Sequence, residues 1–328
     1  MPVSKAELTD AYRLILGREP EMEITESQLN RWANWRDMRA TFLESMEAKV
    51  SLSNFAFDGF HEGSPHDGLR SAWIRTTTSF GRSIYVRLSD IYISREILLT
   101  GKWNAEITAA VLERMTPDSV FLDLGANIGW FTLLAADFIA SRKGAGRVYA
   151  VEANPNVFPY LFASIVESDL APYVSVRPYA VSNRLSTVNM DARAVGNLGG
   201  YGISGPEKAL VKRNVVPAMT LDALFPDLER LDLVKIDIEG SEYLALEGGH
   251  NLLSRLKPAI IMEFNVERLA EVSRKSAQDV LDLMRSIGYR AYAIGGGAKR
   301  NTPEITDADL HDILRKNGNL ADVLFTAR

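Results

Sequence analysis

The 328-residue chain contains no cysteine, which excludes disulfides, thiolate nucleophiles and cysteine-bound zinc from its chemistry. Histidine is scarce: only His61, His66, His250 and His311 are present, and only the first two lie close together. No apolar run approaches the length of a bilayer-spanning helix, and the opening MPVSKAELTDAYR turns polar at once instead of forming the apolar core of a secretion signal. A cytoplasmic location with no transmembrane segment is the expectation. There is no dense Lys/Arg block and the formal net charge is -5, so nucleic acid is not an expected partner. Low-complexity tracts and obvious internal repeats are also missing. What is there, 46% hydrophobic and 24% charged residues, is enough for a packed core. The length points to a catalytic core with a small appendage.

The first fifty residues have a helical pattern. Leu8, Tyr12, Leu14, Ile15 and Leu16 fall near one face, Trp32, Trp35, Met38, Phe42 and Met46 form a second stripe, and LGREPEMEITE breaks them. A helical module over 1–50 is expected, and its helices are the expected place for a protein partner or for self-association. Residues 51–70, rich in Gly, Ser, Asn and His, read as a linker, and 71–328 as the main domain. Two β-leaning segments, Ala72–Thr78 and Ser83–Leu88, suggest a hairpin ahead of it.

Beyond residue 105, short apolar runs alternate with helical patterns, as βα units on a parallel sheet require. Strands are expected at Val120–Leu124, Arg147–Glu152, Val174–Tyr179, Leu233–Asp237, Ala259–Glu263, Arg290–Ile294 and Ala321–Thr326. Helices fit Ala105–Arg114, Trp130–Ala140, Val157–Ser168, Tyr243–Leu256 and Ser276–Ile287, and the last two strands suit an antiparallel closing hairpin. The fold class is α/β, a doubly wound seven-stranded sheet.

Ligands of such sheets lie across the carboxyl ends of the strands, so residues just after strands matter most. In LDLGANIG, Gly125 permits a tight turn and Gly129 a helix start hard against the sheet. A G-x-G-x-x-G fingerprint needs glycine at Asn127, and the carboxylate of Asp123 is a poor neighbour for a pyrophosphate. An acid there suits a sulfonium or ammonium; alternatively it bonds the turn's own amides. Glu152, in VEANP with Asn154 beside it, is placed to accept hydrogen bonds from a ribose diol. Ala180, Val181 and Ser182 would border an adenine, and Gly196–Gly205 reads as a lid or an idle surface loop.

The densest signal is LDLVKIDIEGSEYLALEGG. Lys235 and Asp237 share one face of a strand, and Glu239 and Glu242 follow its exit, with Ser241 or Asp237 also able to cap the next helix. Glu263 and Asn265 leave the following strand, so four carboxylates would face one crevice. Such a cluster can raise the pKa of one member into a general base or hold a divalent cation, and the spacing leaves both open. His250 reads as a reserve base or as a helix-surface residue.

With VFLDLGANIGWFTLLAA, VEANP and LVKIDIEGSEYLALEGG together, the chain from Tyr92 to Arg328 resembles the FkbM family of S-adenosylmethionine-dependent methyltransferases. The resemblance implies a Rossmann-like sheet, S-adenosylmethionine as donor with S-adenosylhomocysteine as product, and O-methylation of hydroxyls on sugars or polyketide-like products. It places Asp123, Gly125, Asn127 and Gly129 in the donor loop, Glu152 on the ribose, and Asp237, Glu239 and Glu242 in the acidic block. No metal is predicted. AYRLILGREP and FLESMEAKV are similar to a short helical module fused to glycan-handling and secretion-associated proteins, which favours a saccharide acceptor. The expected mechanism has Asp237 with Glu239 or Glu242 orienting or deprotonating the acceptor hydroxyl, and Glu263 shaping their titration. Two rivals are a short-chain reductase, for which no Tyr-x-x-x-Lys pair is found after a middle strand, and a non-catalytic nucleotide-binding scaffold.

Overall fold

A computed structural model describes residues 73–192, 201–203, 215–294 and 304–327, together with Lys5. Apart from Lys5, the expected helical module and linker lie outside the described residues, as does most of the expected lid. The chain divides into two compact units, Met1–Ser79 with Val86–Lys102, and Phe80–Tyr85 with Trp103–Arg328.

Strands β1 (Trp73–Thr77) and β2 (Ser83–Arg87) pair as a two-stranded sheet. In the first unit, helix α1 (Ile93–Thr100) starts where Asp90 accepts the backbone N–H groups of Tyr92 and Ser94, at 3.1 and 2.9 Å. That satisfies donors a helix start leaves orphaned.

The second unit opens with α2 (Ala105–Leu112), then β3 (Val120–Leu124), α3 (Trp130–Ser141), β4 (Arg147–Val151), α4 (Phe158–Glu167) and β5 (Val174–Arg177). Four short strands follow: β6 (Ala180–Val181), β7 (Ser186–Ala192), β8 (Tyr201–Ile203) and β9 (Val215–Met219). After α5 (Leu221–Leu224) come β10 (Leu233–Ile236), α6 (Glu242–Gly248), α7 (His250–Leu256), β11 (Ala259–Asn265), α8 (Val266–Val272), α9 (Ala277–Ser286), β12 (Tyr289–Ala293), α10 (Asp307–Lys316) and β13 (Leu320–Ala327).

The central sheet has seven strands in the order β12-β13-β11-β10-β3-β4-β5. Neighbours from β11 to β5 are parallel, and β13 runs antiparallel between β11 and β12. This is a Rossmann-like, mostly parallel seven-stranded sheet, the α/β class expected from the sequence. Its inner strands are near-continuously apolar because helices cover both faces. On one face Leu122, Leu124, Val234, Ile236, Ile260, Met262 and Phe264 pack with residues of α6, α7 and α9 in the main core. The alternate positions, Asp123, Lys235 and Glu263, turn to the opposite face.

The single helix expected over Tyr243–Leu256 is two, α6 and α7, separated at Gly249. Glycine is about 1 kcal/mol less favourable than alanine in a helix interior, so the pair Gly248–Gly249 is the weak point at which the helix breaks. Sequence patterning also missed the sheet β6-β9-β7-β8, which has a small core of Ala180, Met190, Val216 and Ala218. Among the described residues, no helix is long and apolar enough to cross a membrane.

Candidate active site

From β3 the sheet grows through β4 to β5 on one side, and the chain then returns so that β10 pairs with β3 on the other. A reversal of this kind leaves a crevice at the carboxyl ends of the two central strands. There Gly125 has φ +78, and a Cβ on it would lie 1.9 Å from the backbone oxygen of Asp237. The β3 and β10 exits therefore meet backbone to backbone, and only glycine fits. The Gly125 and Ala126 N–H groups both donate to the Val151 carbonyl, at 3.0 and 3.1 Å, which ties the loop to β4.

Asp123 is fully buried, and its Oδ2 accepts from the Thr132 hydroxyl at 2.7 Å. Burial pushes its carboxyl above the ordinary range, and Lys235 on the next strand opposes that. A turn amide goes instead to Glu152: Asn127 N–H donates to Oε2 and Asn154 N–H to Oε1, each at 2.7 Å. Glu152 thus joins the β3 and β4 exits. A carboxylate offers about four acceptor sites, and two loop amides leave roughly two for a ligand diol. Burial raises the Glu152 carboxyl, and these two amides offset part of the rise. Asn127 stands at φ +50, a left-handed conformation that asparagine tolerates better than most residues. Gly129 is the N-cap of α3. Three buried polar atoms around this loop have no partner among the described residues: Asp123 Oδ1, Asn127 Oδ1 and Asn154 Nδ2. Ala180 and Val181 are buried in β6, and Ser182 follows, its N–H donating to Met219 O at 2.9 Å.

Across the crevice, Lys235 is buried in β10 and its Nζ donates to Asp237 Oδ2 at 3.0 Å, while the Asp237 N–H donates to Leu124 O. Burial pulls the lysine down, but Asp237, Asp123 and Glu263 more than offset this and hold it above its ordinary value. The Glu263 carboxyl is pushed up to about 9, first by Asp237, then by burial, Asp322 and Glu239. Asp322, directly opposite Glu263 in register, is pushed up to about 6 by burial and by Asp237 and Glu106. Glu239, at φ +54, pairs with Arg268 at 3.6 Å.

Glu242 turns back into its own loop, where Oε1 accepts the Ile238 and Gly240 N–H groups at 3.1 Å each and Oε2 is buried without a partner. Burial raises its carboxyl to about 7 from 4.5. The folded chain therefore holds a proton between pH 4.5 and 7 that the unfolded chain has released. Its contribution is free of penalty below the lower value, and stability is lost as pH rises through the window, by on the order of 3 kcal/mol in total. Glu242→Gln keeps the oxygen that accepts both amides and removes that loss. Urea unfolding should show the variant gaining on the wild type between about pH 5 and about pH 8; parallel curves would contradict the assignment.

The structure brings Asp123, Gly125, Asn127, Glu152 and Asn154 together around one loop, and Asp237, Glu239 and Glu263 around one strand exit. His250 is exposed at the start of α7. Sequence reading gave no role to Lys235, Asp322 or Glu106. Lys235 carried a signal, a lysine in an apolar strand two places before an acid. The others carried none, since a lone acid in a strand or in a helix's first turn is ordinary. Among the described residues, no three His, Asp or Glu side chains are grouped as metal ligands.

The family description "Methyltransferase FkbM domain" matches residues 123–291, slightly more than half of the chain. The chain belongs to the FkbM methyltransferase family. Among solved structures it is similar to a methyltransferase FkbM from Methylobacillus flagellatus KT, with 18% identity over 70% of this chain and 52% of that one and a TM-score of 0.42. The match thus spans about half of that protein's length. It is also similar to a precorrin-6y C5,15-methyltransferase from Geobacter metallireducens GS-15, with 14% identity, 69% and 90% coverage and a TM-score of 0.37. A third is an rRNA methylase from Streptococcus thermophilus, with 12% identity, 67% and 93% coverage and a TM-score of 0.36. A search of curated proteins found no match.

Proposed function

We propose that this FkbM family member is an S-adenosylmethionine-dependent O-methyltransferase that acts on a hydroxyl of a saccharide. One observation carries the donor assignment: at the β3/β10 reversal the loop closes on the Asp237 backbone at Gly125, with unpartnered buried polar atoms at Asp123, Asn127 and Asn154. Unpaired buried polar atoms are costly, and a ligand bearing an ammonium, a carboxylate and a ribose diol would satisfy them. Asp123 and Asn127 suit the amino-acid end, Glu152 and Asn154 the ribose, and Ala180 to Ser182 the adenine. When bound, S-adenosylmethionine supplies an electrophilic methyl group.

The chain's own part is positioning and proton handling. Asp237, held by Lys235 yet with 37% of its side chain exposed, orients the acceptor hydroxyl and takes its proton at the oxygen not paired with the ammonium. Glu239, turned toward Arg268, shapes the crevice wall. The saccharide reading draws on the hydroxyl-binding capacity of the carboxyl groups along the crevice and on the resemblance of the amino-terminal segment to glycan-associated modules.

Calorimetry with S-adenosylmethionine and with NADPH, followed by transfer of a labelled methyl to a panel of sugars and polyketide-like alcohols, tests this. Binding of S-adenosylmethionine alone, with label on a sugar oxygen, is expected. Binding of NADPH alone would overturn the donor, and label only on a non-sugar alcohol would overturn the acceptor.

A further inference from the structure

The crevice has more carboxyl groups than one base requires, with Lys235 the one buried cation among them in the described residues. Ile236 pairs with Met262, so Asp237, one residue on, continues the register toward Glu263, which faces Asp322. Three acids thus form one row across β10, β11 and β13. One step below it, Lys235 lies between Asp123 of β3 and Ile261 of β11. Its side chain is 8% exposed, with the ammonium 3.0 Å from Asp237 and 4.9 Å from the centre of the Phe131 ring. The other three residues of β10 are the apolar Leu233, Val234 and Ile236, and a buried ion pair is usually no more stabilising than an apolar residue of similar size. Fold stability is therefore a weak reason for a lysine at this position.

We propose that Lys235 is the positioning residue of this crevice: its ammonium fixes the Asp237 side chain at the strand exit and offsets the charge of the row, so that an acceptor hydroxyl meets Asp237 in one orientation. The inference rests on reading the crevice as the acceptor end of a methyl-transfer site. The groups that bear on it are Asp123 from β3, Glu152 after β4, Asp237 and Glu239 after β10, Glu263 from β11, Asp322 from β13 and Glu106 from α2. Lys235 opposes the rise of the carboxyls at Asp123, Glu152, Glu263 and Asp322.

Carboxyl carbon-13 NMR titration of the full chain tests it without needing the acceptor. In Lys235→Met the Asp322 midpoint, about 6 in the wild type, should climb by about one pH unit or more, and in Lys235→Arg it should stay close to the wild-type value. Asp237→Asn gives a second reading in a protein that keeps its lysine: the Lys235 ammonium should titrate lower, and Glu263 should fall. Unchanged midpoints in Lys235→Met, or an unmoved ammonium in Asp237→Asn, would overturn the proposal, and the second reading stands even if the methionine variant does not fold. Once an acceptor is found, Lys235→Met should lose about tenfold or more in turnover and regain part of it at higher pH, with donor affinity within a few-fold. Failure of the wild type to bind S-adenosylmethionine would sink the methyltransferase reading and leave the titrations to judge Lys235.

Discussion

Gly125→Ala should destabilise the chain by on the order of 3 kcal/mol or more, lowering Tm by roughly 6–12 °C, and should weaken S-adenosylmethionine binding at least about a hundredfold. Two effects add. The backbone at φ +78 disfavours any side chain, typically by about 1–2 kcal/mol, and the new Cβ would meet the Asp237 carbonyl oxygen at 1.9 Å. That oxygen belongs to the backbone of a strand exit held by the Asp237 N–H to Leu124 O hydrogen bond, so it cannot swing aside as a side chain would. Gly318→Ala is the control: φ is +65, and nothing lies within 4 Å of the added carbon. Thermal unfolding should show the control losing about 1 kcal/mol only. Equal losses would mean that the two strand exits do not touch as described.

Asp237→Asn is expected to reduce methyl transfer by about 10²- to 10⁴-fold while changing donor affinity only a few-fold. Asparagine keeps the size of the side chain but cannot take a proton, and it leaves the Lys235 ammonium without the carboxylate 3.0 Å away. Glu239→Gln gives the contrast. Its carboxylate is mostly enclosed and turned to Arg268 at 3.6 Å instead of serving as the base, so its loss should lower turnover by roughly threefold or less. Single-turnover rates and calorimetric donor affinities for both variants check the pair. Equal rates in the two would remove Asp237 from the role of base.

The inner sheet strands were legible because they are short, mostly apolar runs ending near an acid, a glycine or a turn, as strands covered on both faces tend to be. The second sheet was not. Its strand β7, STVNMDA, mixes polar and apolar residues, and β9 carries Pro217, which argues against an inner strand. The structure resolves this: β6 pairs with Ala218 and Met219, so among the described residues strand β9 has one neighbour at Pro217, β7.

The donor loop could be read from its glycines and acids because the close approach of strand exits restricts residue type at those positions. Which acid holds which group could not be read. Glu152 takes the Asn127 amide through a contact 25 residues apart in sequence, and Glu242 folds into its own loop, as its neighbours Ile238 and Gly240 allow but do not announce. Asp322 joins the crevice only through an antiparallel register between β11 and β13, which no local pattern encodes.

A crystal structure of the protein with S-adenosylhomocysteine bears most directly on the central claim. The nucleoside should lie at the carboxyl ends of β3, β4 and β10, with its ribose diol on Glu152 and its amino-acid end at the Gly125 loop. A nucleoside seated elsewhere, or a Gly125 loop closed by its own side chains with no ligand density after soaking, would contradict it.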